Sequence, residues 1–83
     1  MQRNYHRAYN QLRSIGAPVI EGGYNGEDTF RISAESNCSE TWADYYHMEY
    51  GEFGVSPRIV QVLNQHGLFA EWINPGVLAV CEI

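Results

Sequence analysis

Apolar residues recur with different periods in different parts of this chain, and those periods divide it into elements. Tyr5, Ala8, Tyr9, Leu12 and Ile15 lie three or four positions apart, the spacing of one helical face. Arg3, Arg7 and Gln11 occupy the opposite side. Arg13 falls in the last turn, where the helix dipole favours a cation, and Gly16 supplies a stop. The pattern predicts a helix over 2–15. Ala17 to Glu21 reads as a short strand, with Pro18 near its start marking a sheet edge. A glycine-rich connection, 22–28, leads to Thr29–Ala34. There Phe30, Ile32 and Ala34 alternate with Thr29, Arg31 and Ser33, as in a strand with one wet face.

The second half opens on a turn at 35–39, after which Trp42, Ala43, Tyr46 and Tyr50 predict one side of a short helix over 40–50. Gly51 to Val55 connects it onward, with Phe53 and Val55 expected beneath the connection. Ser56 followed by Pro57 is a helix start, a capping hydroxyl before the position that proline prefers. Ile59, Val60, Val62 and Leu63 are the expected buried residues of that helix, and Gly67 ends it. Leu68–Ile73 and Val77–Ile83 form a hairpin about Asn74-Pro75-Gly76, whose proline and glycine suit a tight turn. The last strand is apolar on both sides: Val77, Ala79, Cys81 and Ile83 on one, Leu78 and Val80 on the other. Such a strand is central in its sheet, or is covered on its second face by another molecule.

The order is α-β-β-α-α-β-β. It predicts an α+β fold in which a four-stranded, mostly antiparallel sheet carries about three helices on one face. With 83 residues this is one globular domain, 1–83, with a modest core. If the sheet's other face is partly apolar, a two-fold homodimer would cover it.

Charge narrows the classes of partner. The net charge is −5, and the chain has no lysine. Between residues 21 and 52, eight carboxylates stand against Arg31 alone. Such a balance argues against nucleic acid, whose affinity for proteins rests on phosphate neutralisation, and suits a basic partner. It also permits an acidic decoy, in which the carboxylates stand in for phosphates to occupy a nucleic-acid-binding protein. No run of about 18 apolar residues is present, and the first residues lack the apolar core of a secretory signal. The expectation is a cytoplasmic protein without membrane contact. Cys38 and Cys81 are then expected as free thiols, Cys81 in a buried strand.

Catalytic motifs are absent from the sequence: it has no G-x-S-x-G, no H-E-x-x-H and no C-x-x-C. Gly22-Gly23 is not followed by the G-K-[ST] of a phosphate loop. No cofactor is expected. On a helix over 40–50, Glu40, Asp44 and His47 would fall within about 60° of one another. That face could hold a metal or small molecule, or serve a small enzyme with a site between sheet and helix. A solvated helix surface explains the same three residues. More informative are the aromatics: Trp42, Tyr45, Tyr46, Tyr50 and Phe53, interleaved with Met48, Glu49 and Glu52. One short helix cannot bury all five rings, and aromatic and methionine side chains are enriched at interfaces. The leading expectation is therefore a non-catalytic protein-binding or regulatory module that contacts its partner, or a second copy of itself, through this segment.

Overall fold

The computed structural model describes residues 1–35 and 41–83. Among the described residues, two helices and four strands run α1 (Arg3–Ser14), β1 (Val19–Glu21), β2 (Phe30–Ser33), α2 (Pro57–Gln65), β3 (Leu68–Asn74) and β4 (Val77–Glu82). The strands form one antiparallel sheet of order β1-β2-β4-β3. The α+β class and the four-stranded sheet match the sequence expectation. The last strand is central, and β1 is an edge.

Each helix follows from its local chemistry. Tyr5, Ala8, Tyr9 and Leu12 of α1 are buried. Its end is closed by Gly16 and by the Ala17 amide, which donates to the Leu12 carbonyl over 3.0 Å. Ser56 caps α2, its hydroxyl accepting from the Arg58 amide at 3.3 Å, with Pro57 in the first turn. Helix α1 packs on α2 and β1, and α2 on β3, so both helices cover the same side of the sheet. No described helix is long and apolar enough to cross a membrane.

Register decides what lies beneath those helices. Ile32 pairs with Leu78, and Leu78 with Trp72, so the three share the helix-side face. Phe30, Ile32, Leu68, Leu78, Leu12, Ile59 and Leu63 are fully buried. Tyr5 and Tyr9 meet the Phe30 ring edge-on, with centroids 6.5 and 5.4 Å apart. The two apolar sides of β4 thus separate: Leu78 and Val80 enter the core, whereas Val77, Ala79 and Cys81 remain half-buried on the other face. The expectation of a buried Cys81 is corrected accordingly.

The helix expected over 40–50 does not form. Thr41 to Val55 is instead a closed loop, and its start at Glu40 lies outside the described residues. Its ends are tied together: Ala43 bridges Val55, the Ser56 amide donates to the Trp42 carbonyl at 2.8 Å, and the Asp44 amide to the Gly54 carbonyl at 2.7 Å. Two physical causes oppose the helix. The Asp44 carboxylate accepts from the Tyr46 amide at 3.0 Å, a local turn that competes with helical hydrogen bonding. Gly51 (φ 57°) and Gly54 (φ 79°) then take the left-handed conformation, and Phe53 between them does the same at φ 52°. The periodicity that suggested a helix belongs to a sequence of low helix propensity with glycines at its end. Phe53 is also not tucked under the connection but 72% exposed, whereas Val55 is buried.

Candidate functional site

The 41–55 loop resembles a compact Ω-type loop whose ends meet and whose own groups fill it. His47, Tyr50 and Gly54 amides donate in turn to the Asp44, His47 and Tyr50 carbonyls, and Glu52 and Val55 exchange two backbone bonds. The Tyr50 hydroxyl donates to the Thr41 carbonyl at 2.6 Å, spanning the loop. Trp42 anchors it from below. Its side chain is 4% exposed, and the Arg58 guanidinium stacks 4.9 Å above the ring.

Trp72 docks this loop onto the sheet. Its indole N–H donates to the Phe53 carbonyl at 2.8 Å, and its ring meets Tyr45 edge-on at 5.3 Å. Tyr45 in turn meets Tyr46 at 5.5 Å. What the loop leaves outside is apolar: Tyr46 is 77% exposed, and Tyr45 and Met48 are each 38% exposed.

The structure sorts the sequence-nominated residues into three groups. Tyr45, Tyr46, Met48 and Phe53 are the exposed large apolar residues of the loop, Tyr45 and Tyr46 in ring contact, and Glu49 and Glu52 of the same loop are exposed as well. Trp42 and, in part, Tyr50 support the loop from within. Trp72 joins it as a platform that sequence reasoning placed only in a strand. The one available signal was a large aromatic beside the Asn74-Pro75-Gly76 turn, where the β3–β4 register also shifts.

Asp44 and His47 are joined directly, Nδ1 lying 2.7 Å from a carboxylate oxygen. That contact raises the His47 pKa above its usual range, first through the hydrogen bond and then through the carboxylate's charge. The same bond lowers the Asp44 pKa, with help from the Tyr46 amide. Both Asp44 oxygens are thus engaged in holding the turn. Glu40, the third member of the expected group, lies outside the described residues, and the helical argument that joined the three does not apply to a loop. Among the described residues, no group of three or more His, Cys, Asp or Glu side chains is placed to hold a metal.

A cleft of about 350 Å³ lies between the end of β2, Pro75 and the Thr41–Tyr46 stretch. Cys81 is a free thiol whose pKa is raised, chiefly by burial and then by the nearby Glu71 charge. A thiol kept protonated is a poor nucleophile. Comparison with protein-family models, with curated proteins and with solved structures found no match to this chain. The loop's own chemistry has to carry the functional reading.

Proposed function

We propose that the protein is a non-catalytic binding module whose contact surface is the aromatic face of the 41–55 loop together with Trp72, and whose partner is a protein presenting a basic, partly aliphatic patch. The observation that carries this reading is Phe53. A non-glycine residue in the left-handed region is strained by about 1–2 kcal/mol, and a ring 72% exposed recovers little of that through packing. Strain retained at an exposed aromatic supports a role outside the fold. Tyr46 of the same loop is also largely exposed, and rigid rings of this kind are the usual anchors of interfaces. The charge of the partner follows from the rim. The loop carries Asp44, Glu49 and Glu52 and neither lysine nor arginine.

The test separates binding from folding. Phe53→Gly relieves the backbone and should raise stability by a few tenths to about 1 kcal/mol in urea denaturation. Combined with Tyr46→Ala, it should remove a partner that the wild-type chain captures from its native lysate and that dissociates with rising salt. Capture of the same proteins by wild type and double variant would sink the assignment of this surface. The acidic-decoy reading shares the carboxylates but assigns no task to the rings, so it predicts the opposite result for Tyr46→Ala.

A further inference from the structure

The face of the sheet opposite the helices carries a charge pattern that selects its own cover. Arg31 of β2 and Glu71 of β3 both pair with Ala79 of β4, so the three side chains stand in one row on that face. The central strand thus has a small residue on the row, a cation one strand to its left and a carboxylate one strand to its right. Two strand spacings, roughly 10 Å, separate the charged strands. Val77 and Cys81 lie on the same face of β4 above and below Ala79, and Phe69 (39% exposed) and Ile20 (38% exposed) extend the apolar surface on either side. The Cys81 thiol, 3.6 Å from a Glu71 oxygen, marks how far that carboxylate leans inward.

We infer that this face is covered by a second copy of the chain, related by a two-fold axis running parallel to β4 at Ala79. Rotation about that axis exchanges left and right, so Arg31 of each copy comes opposite Glu71 of the other, giving two reciprocal ion pairs. A two-fold axis lying across the strands would instead set Arg31 against Arg31 and Glu71 against Glu71. Only the first arrangement is electrostatically self-complementary, and like charges facing each other across an interface are strongly disfavoured. Facing sheets pack about 10 Å apart, a gap that an arginine and a glutamate together span. The Arg31 Nε donates to the Gly22 carbonyl at 2.9 Å and one terminal nitrogen leans on the Glu21 carbonyl at 3.5 Å, which fixes the guanidinium and leaves further donors of its five for a carboxylate. On the axis, Val77, Ala79 and Cys81 meet their own counterparts. The Arg31–Ala79–Glu71 row is itself neutral, and the acidic group beside it is Glu27 of the 22–28 connection, whose charge reaches Cys81.

Size sets the strength. Four strands of three to seven residues, about 4.8 Å apart, give on the order of 600 Å² of plan area for the two faces together. That is below the area of standard specific interfaces, as expected of a weak, transient dimer. The helix-side Trp72 and its loop stay outside this interface. The inference is therefore independent of the partner-binding reading, and a dimer would present two aromatic surfaces.

Sedimentation equilibrium of the full chain from about 1 µM to about 1 mM should show a monomer–dimer equilibrium. Glu71→Arg should weaken it tenfold or more, Arg31→Glu likewise, and the double variant R31E/E71R should recover wild-type association to within a few-fold. A chain that stays monomeric to the top of that range overturns the inference, as does a dimer indifferent to Glu71→Arg or a double variant no better than the singles. Should Arg31→Glu fail to fold for loss of its Gly22 contact, Cys81 supplies a second readout. In a Cys38→Ser background its reaction with a maleimide should slow as concentration rises, and Glu71→Arg should abolish the slowing. A rate independent of concentration counts against the interface.

Discussion

The 41–55 loop and the helix-covered side of the sheet are both rich in large apolar residues, and they treat them in opposite ways. Beneath the helices, Phe30, Ile32, Leu68 and Leu78 fall in step with the strand period on one face of the sheet, and each is fully buried. In the loop, the rings of Tyr46 and Phe53 stand largely in solvent. The difference is one of commensurability. A side chain is hidden when its spacing matches the element that carries it, because the whole stripe can then face one neighbour. The loop has no repeating geometry, so of its residues only Trp42, Ala43 and Val55, at its two ends, join the core cluster. Apolar content alone does not make a core.

The comparison can be broken most forcefully at Leu78, which sits on the central strand between Ile32 and Trp72. Leu78→Ala should cost roughly 3 kcal/mol in urea denaturation, the sum of lost transfer energy and an unfilled cavity. A cost below about 1 kcal/mol, the level of an exposed site, would show that the two regions are not energetically distinct.

A smaller effect, confined to the loop, is expected at Gly54. Its φ is 79°, and a Cβ there would press on the Asp44 carbonyl oxygen that lies against the loop's closing strand pair. Gly54→Ala should destabilise by about 2 kcal/mol, from left-handed strain plus the clash. Hydrogen exchange should report the loss first at the Asp44 and Ser56 amides, which close the loop, while the amides of β4 keep their protection. Uniform loss of protection across β4 would mean instead that the loop belongs to the cooperative core.

This contrast also explains what could be read beforehand. Helix α2 was legible in full because Ser56, Pro57 and Gly67 are punctuation with a local mechanism, and β4 was legible as central because both of its faces are apolar. Which side of β4 enters the core was not legible, since Leu78/Val80 and Val77/Ala79 are equally apolar and only pairing with Ile32 distinguishes them. The aromatic segment could be located without its form. Trp42, Ala43, Tyr46 and Tyr50 imitate a helical stripe over nine positions, and the turn made by Asp44 with the Tyr46 amide outweighs that pattern. Trp72 was missed as part of the site because its partners, Phe53 and Tyr45, are brought to it only by tertiary docking.

The finest distinction between loop and core is electrostatic. Core burial is indifferent to pH, whereas the Asp44–His47 pair is fully exposed to it. His47 has a raised pKa in the folded chain, so its contribution is complete below the unfolded histidine value of about 6.5 and fades as pH rises through the folded value. Asp44 has a lowered one, so its contribution is complete above the unfolded aspartate value of about 3.9 and fades as pH falls through its folded value. The turn is therefore held most firmly between those two unfolded values, from about pH 4 to pH 6.5. Because both side chains face solvent, the effect on global stability should be slight and should shrink with salt. It is best seen by NMR titration of the His47 ring, whose midpoint should move down in Asp44→Asn. In the same variant the Tyr46 amide should titrate no longer with His47. An unmoved His47 midpoint would mean that the imidazole takes no part in the turn, which would then rest on the Asp44–Tyr46 amide bond and the glycines at 51 and 54.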